Sequence, residues 1–575
     1  MRRPGFTVAL VLVAACNAKP SPPKKADPAG NATGTAPTEQ ATPREELDPS
    51  ALPKPALDVA FLRETTRLLS HDAMEGRGIG TEGGKRAVEA IRVLMERAGL
   101  EPAGDGGGWT QRVPLRSVAV EMPNTGLWIK AKEGDGYARL HFGREVLVNS
   151  FGPAGTQSLT LPVVFAGYGV TAPEYGWDDY AGIDVRGKLV VVFVGDPPTG
   201  DERFDGEAMT YYGRWSYKFE RALAAGAAGC LVVHEDEPAS YGWNVVLNSW
   251  SKPRFQTLES DGSLPPSLAV QGWISAGAAD KLAKMAGQSL AAWHDAAMRK
   301  NFRAQELPVF FGGKLTTTER RLEDVNVVGR IPGTQHPDEG VVLTAHWDHL
   351  GRAEQPVDGD DIYNGAIDNA SGVAGMLAVA GSLAADRPER TVIFVATTAE
   401  EQGLLGARYH ADHPALPIER TWAAFNLDSM NVDGRTRNVE VVGMGKTTLE
   451  DVLAEVAKKQ GRVLTPDERP EAGGYFRSDH FAFARKGVPA LYFRGGLDMV
   501  EGGRAAGEAL LERRKARYHT VDDEYDPSWT FEGALEDASA LADVIRAVTA
   551  AAERPSWRKG AKIPGAPRPK APPAG

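Results

Sequence analysis

The stretch VVLTAHWDHLG, residues 341–351, places two histidines around an aspartate in a chain that has only 11 histidines among 575 residues. The apolar run before them reads as a buried strand, so His346, Asp348 and His349 stand at its mouth. Three further runs end in similar side chains: TVIFVATTAEEQGLLG in Glu400 and Glu401, WAAFNLDSM in Asp428, and ARYHTVDDEYD in His519 beside Tyr518. Between the first two lies YNGAIDNASG, a Gly-rich loop in which Asp368 opens an expected helix, VAGMLAVAGSLAA. Zinc accepts such a mixture of imidazole and carboxylate while leaving one position for water. Each piece alone has an ordinary reading. A histidine after a strand is usually a hydrogen-bonded structural residue, adjacent glutamates usually offset a helix dipole, and AIDNASG can be an N-cap and turn. It is their succession after consecutive strands that points to a metal centre.

From Val341 onward strands and helices alternate, the pattern of an α/β sheet with helices on both faces, in which catalytic residues collect at the carboxyl ends of strands. Upstream, FLRETTRLLS and KRAVEAIRVLMERAGL have helical periodicity and flank the loop HDAMEGRGIGTEGG. The texture then changes to short apolar strands between Gly-rich turns, LPVVFAGYGV, GKLVVVFVGDPP and RALAAGAAGCLVVHED among them, which reads as a compact inserted module. The chain exceeds what one core usually organises. The expected division is a signal segment 1–16, a flexible tether 17–55, a first catalytic part 56–136, the insert 137–316, a second catalytic part 317–553 and a disordered basic tail 554–575.

With 42% hydrophobic and 25% charged residues the composition is that of a soluble globular protein, and a net charge of −11 argues against nucleic acid as a partner. The N-terminus differs. MRRPGFTVALVLVAAC has Arg2 and Arg3 before an apolar run too short to span a bilayer, and Val13-Ala14-Ala15-Cys16 resembles a bacterial lipobox. That resemblance implies export and a lipid on Cys16, with anchoring at the outer membrane or cell surface; Asn17 stands where inner-membrane retention usually has Asp. The other cysteine, Cys230, sits among small apolar residues and reads as a buried, inert thiol.

The ordered set AHWDHLG, NGAIDNASG, TTAEEQGLLGARYH, NLDSM and YHTVDD resembles metallopeptidase family twenty-eight of the MH clan, the secreted dizinc aminopeptidases, which also contains glutamate carboxypeptidases and has transferrin receptors and glutaminyl cyclases as relatives. MEGRGIGT before the insert and SDHFAFARKGVPALYF after it extend the likeness, and the insert resembles a protease-associated domain. The resemblance implies a mixed central sheet flanked by helices, with a β-rich insert acting as a lid or access element. It implies two zinc ions, His346 and Asp428 on one, Glu401 and His519 on the other, and Asp368 bridging them. It implies Glu400 as the general base, Tyr518 as an oxyanion donor, and Asp348 as a hydrogen-bond acceptor that fixes the tautomer of the His346 imidazole. The activity implied is exopeptidase cleavage of peptides, first of all as an aminopeptidase. Dipeptidase, carboxypeptidase, glutaminyl cyclase and a non-catalytic receptor-like protein are the alternatives; the full ligand set and Glu400 weigh against the last.

Two histidines near these motifs are set apart from the ligands: His349 is expected to serve a turn or the substrate cleft, and His480 in SDHF to line the cleft or support a ligand. The remaining histidines have no ligand context. The run from Asp358 to Asp361 lacks the spacing of a calcium loop and reads as solvated.

Overall fold

Asp58 begins the first long helix by accepting the backbone N–H groups of Ala60 and Phe61; helix α1 (Val59–Leu69) then buries Phe61, Leu62, Leu68 and Leu69. Thr81 caps α2 (Glu82–Ala98) in the same way, and Gly99, at φ 91°, closes it in the left-handed conformation that glycine adopts most cheaply. The computed structural model describes residues 48–199, 204, 206–259, 261–357, 359–561 and 563. The signal segment with Cys16, most of the tether and the end of the tail lie outside the described residues.

After α2 come β1 (Thr110–Val120), β2 (Gly126–Ala131), β3 (Val146–Asn149), β4 (Gly155–Phe165), β5 (Leu189–Phe193), α3 (Trp215–Ala224), β6 (Gly229–His234), β7 (Val270–Ser275) and β8 (Gln305–Ile331). The second half of the chain contributes β9 (His336–His346), α4 (Gly372–Ala385), β10 (Arg390–Thr397), α5 (Leu405–Asp412), β11 (Thr421–Asn426), β12 (Asn438–Val441), α6 (Leu449–Lys459), β13 (Val463–Pro466), β14 (Ala490–Gly495), α7 (Gly503–Arg517) and α8 (Glu532–Ala550).

Pairing gives a mixed catalytic sheet in the order β1-β8-β10-β9-β11-β14-β12-β13, in which β10, β9, β11 and β14 run parallel. Side chains alternate across it as a pleated strand requires. Val341, Leu343 and Ala345 join the core under α1, α2, α4, α6 and α8, while Val342, Ile393, Val395 and Ala424 face the opposite layer. Helix α4 and the turn before it, Ala366–Ala385, are long and apolar enough to cross a membrane by length and composition, yet 89% of that apolar window is buried inside the fold. That burial makes it a central core helix.

The insert is built on the same hydrogen-bonded framework. The first half of β8 pairs antiparallel with β2 and β4, and its second half pairs with β1 and β10. Strands β4, β5, β6 and β7 continue in parallel, with β3 antiparallel to β7. The boundary expected at residue 316 therefore falls inside one strand of 27 residues, and β2, expected in the first catalytic part, pairs with the insert. The sequence conceals this because residues 315–322, where β8 exchanges its partners in the insert for β1, contain no glycine or proline.

The described residues of the expected tether and tail are tied to the fold. Arg97 donates to the carbonyls of Pro49 and Leu52 at 2.8 and 2.7 Å. At the other end, Arg554 donates to the carbonyl of Glu419, the Trp557 indole to that of Gly487, and Arg558 pairs with Asp451.

Candidate metal centre

The register of the parallel strands sets the site. His346 lies opposite Thr397 across β9 and β10, and Thr344 lies opposite Asn426 across β9 and β11. Three carboxyl ends thus arrive abreast, and Glu400, Glu401 and Asp428 follow within a few residues. The segments that carry these side chains pass through left-handed residues: Ala399 at φ 54°, Ser429 at φ 58° and His519 itself at φ 58°. Non-glycine residues hold that conformation only where their surroundings fix it, as at functional sites.

Asp368 lies at the centre. One carboxylate oxygen, Oδ1, is 3.2 Å from His346 Nε2, and the other, Oδ2, is 3.2 Å from His519 Nε2. Each imidazole meets one further carboxylate: Asp428 Oδ1 is 3.5 Å from His346 Nε2, and Glu401 Oε2 is 3.0 Å from His519 Nε2. The peptide bond after Asp368 is cis. The structure thus brings His346, Asp368, Asp428, Glu401 and His519 into one cluster, with Glu400 beside it in a group with His346 and Glu401. Tyr518 stacks on the His519 ring, centroids 3.8 Å apart and planes 20° apart, and is 58% exposed.

The donor set fits a pair of cations. His519 Nε2 is buried without a hydrogen-bond partner although two carboxylates face it. His346 contacts the carbonyl of Asp348 through Nδ1, which leaves the Nε2 lone pair aimed at Asp368 and Asp428. The electrostatics agree. Burial disfavours a charged His346, yet Glu400, Asp368 and Asp428 outweigh it and hold its pKa well above the usual histidine range. The same contest, with Glu401 and Asp368 as the winners, pushes His519 up to about 10. Burial and then the neighbouring Glu401 and Asp428 push Glu400 well above the ordinary carboxylate range; burial acts the same way on Asp368, but the facing imidazoles of His346 and His519 overcome it and hold Asp368 well below that range. Carboxylates this crowded draw positive charge into the cluster.

Three supporting residues differ from expectation. Asp348 was expected to hold the His346 imidazole through its side chain. Its main-chain carbonyl does so instead, at 3.1 Å, because the chain turns back after His346; the carboxylate, 3.9 Å away, accepts the N–H of Glu400 at 3.1 Å. His349, expected in a turn or cleft, is fully buried and contacts Glu401 Oε1 at 2.8 Å through Nδ1, leaving Oε2 for His519. His480 is also fully buried, between Tyr475 and Tyr492, and not on a cleft wall.

Other contributors were inside quoted motifs without being singled out. Asp523, the second acid of YHTVDD, accepts the N–H groups of Ile367 and Asp368, both at 3.0 Å. Ser478 of SDHF donates to Asp428 Oδ2 at 2.7 Å. Arg77 of MEGRGIGT is buried against four carbonyls around the site. Their residue types gave a signal, but the partners of Asp523 are main-chain N–H groups and those of Arg77 are carbonyls, atoms that no sequence pattern displays, and Ser478 meets Asp428 only through the fold. Gly365, at φ 56°, precedes Asp368 where a Cβ would lie 2.6 Å from the His349 ring. Asp361 is held by Arg352 through several contacts of 2.7–3.0 Å, in line with a solvated loop; Asp358 lies outside the described residues. Cys230 is a buried free thiol whose pKa burial pushes up.

Residues 326–542 match the model of Peptidase family M28. The M28 match contains every clustered side chain named above except Arg77, and the insert lies outside it. A "Probable zinc metalloprotease" of Pyrenophora teres f. teres is 33% identical over 149 residues, 24% of this chain and 32% of that protein. The chain spans about a third of the length of that first curated relative. "Aminopeptidase YwaD" of Bacillus subtilis is 25% identical over 460 residues, 76% of this chain and 79% of that protein. Among solved structures, the aminopeptidase from Aneurinibacillus sp. strain AM-1 superposes with a TM-score of 0.48 at 18% identity, covering 89% of this chain and 98% of that one.

Proposed function

We propose that this protein is a zinc-dependent exopeptidase, acting as an aminopeptidase on peptides, that holds two zinc ions in the Asp368 cluster. The observation that carries the reading is the division of the Asp368 carboxylate between two imidazoles, each backed by its own second carboxylate. His346 and Asp428 would hold one ion and His519 and Glu401 the other, with Asp368 a ligand open to both. A zinc pair so bound supplies Lewis acidity to the scissile carbonyl and to the attacking water.

The chain's own groups carry the rest. Glu400, not used as a ligand, takes the proton from water and delivers it to the leaving amine. Asp348 fixes the Glu400 main chain through its N–H. Tyr518, stacked on His519 at the open side, donates its hydroxyl to the developing oxyanion. The insert contacts the catalytic part on both sides of Ser478: Arg485 pairs with Glu220 of α3 at 2.8 Å, and Met209 donates its N–H to the carbonyl of Pro470. Export and a lipid on Cys16 complete the reading and place the peptidase at the outer membrane or cell surface; Cys16→Ser should abolish incorporation of labelled palmitate.

Metal analysis joined to a screen of aminoacyl arylamides tests the function. The expected result is two zinc per chain with turnover, and Glu400→Gln retaining both ions while losing roughly 10²–10⁴ in kcat. Wild-type protein without metal sinks the reading, and Glu400→Gln that loses zinc makes Glu400 a ligand.

A further inference from the structure

We infer that Arg77 is a positioning residue for the bridging carboxylate, and through it for the metal pair; this rests on the function proposed above. Arg77 is 1% exposed. Its Nε donates to the carbonyl of Trp347 at 2.8 Å, Nη1 to those of Leu69 and Asn364 at 2.6 and 2.7 Å, and Nη2 to that of Gly365 at 2.8 Å. Trp347 follows the ligand His346, and Asn364 and Gly365 lead into Asp368. One planar fork thereby ties the end of β9, the loop before Asp368 and the end of α1.

The backbone repeats the link. His349 donates its N–H to the carbonyl of Arg77 at 3.2 Å and Gly351 to that of Gly76 at 3.0 Å. Arg77 itself sits at φ 47°, a conformation the surrounding contacts must hold. Leu69 and Arg77 belong to the N-terminal part of the chain, outside the M28 match, so the segments that converge on Asp368 are registered from a region more than 250 residues away in sequence.

Charge and geometry predict opposite outcomes when this side chain changes. The guanidinium is surrounded by Asp523, Asp368, Asp348 and Glu401, so its positive charge opposes a cation bound at the same carboxylates. Were charge its main contribution, Arg77→Met would bind metal more tightly. Positioning predicts the reverse, because the methionine leaves four carbonyls unheld and lets the His346 and Asp368 segments drift apart. Arg77→Lys keeps the charge but replaces a planar fork of five donors by a point charge, so it should also bind more weakly.

The experiment is calorimetric titration of Zn²⁺ into the chelator-stripped full chain, wild type and both variants, with far-UV circular dichroism and the metal-free unfolding midpoint measured alongside. Wild type is expected to bind two ions, and Arg77→Met to bind at least about tenfold more weakly, the size of loss seen for groups that orient ligands, with Arg77→Lys between. Equal or tighter binding by folded Arg77→Met overturns the inference, as does lost metal-free stability with unchanged affinity, which assigns Arg77 to the fold alone. If Arg77→Met does not fold, Arg77→Lys decides: wild-type affinity in it is equally fatal. Wild type that binds no zinc removes the metal reading and this role together, whereas two ions in wild type and in both variants at equal affinity removes only the role of Arg77.

Discussion

Replacing Asp523 by alanine should loosen the loop that carries Asp368. The Asp523 carboxylate, 2% exposed, accepts the N–H groups of Ile367 and Asp368 at 3.0 Å each. Alanine leaves two buried amide donors without an acceptor, at about 1–3 kcal/mol apiece, so the gross loss is about 2–6 kcal/mol. Two facts confine it to the lower part of that range. The Asp523 main-chain carbonyl still accepts the N–H of Ala366 at 2.9 Å, and burial holds the Asp523 carboxyl above its ordinary range, so removing the charge returns part of its desolvation cost. Asparagine keeps one acceptor oxygen and turns an amide N–H₂ toward the second donor, so it should fall between aspartate and alanine. The assay is urea unfolding of chelator-stripped protein at pH 7, paired with zinc content after reconstitution. Asp523→Ala that unfolds within about 0.5 kcal/mol of wild type and keeps its zinc would refute the view that this carboxylate fixes the loop.

Two further outcomes follow from buried histidines. His349→Leu removes the group that orients Glu401, so zinc should fall from two ions to one while the ion on His346 and Asp428 stays, a change read by metal analysis of the folded variant; two ions retained at wild-type affinity would exclude it. His410, buried and bonded through Nδ1 to Gln111 at 2.9 Å, has its pKa lowered to about 4, first by burial and then by the nearby His413. A lowered histidine pKa means the folded state favours the neutral ring, so its contribution is full above about pH 6.5 and is lost as pH falls from there toward 4, about 3 kcal/mol over that window. His410→Gln should flatten that part of the wild-type stability profile in denaturant titrations at pH 7 and 4.5, and an unchanged slope would show that His410 is not the titrating group.

The residues that cluster around Asp368 were legible because chemistry and topology constrain them together. A parallel sheet gathers its functional side chains at the carboxyl ends of strands, so an apolar run ending in His346, another in Glu400 and Glu401 and a third in Asp428 can be read without coordinates. The helices were legible for a similar reason, since a 3.6-residue apolar period and a capping Asp58 or Thr81 are local properties.

What tertiary structure decided is which atom meets which. Nothing in AHWDHLG distinguishes the carbonyl of Asp348 from its carboxylate as the partner of His346, because the choice depends on how the chain turns after β9. Nothing local assigns His349 to Glu401 or Arg77 to four carbonyls, because those partners lie 52 and up to 288 residues away and many are main-chain oxygens, identical in every residue type. The shared strand β8 was hidden for the same reason: a strand advertises its period, and its neighbours are fixed only when the whole sheet assembles.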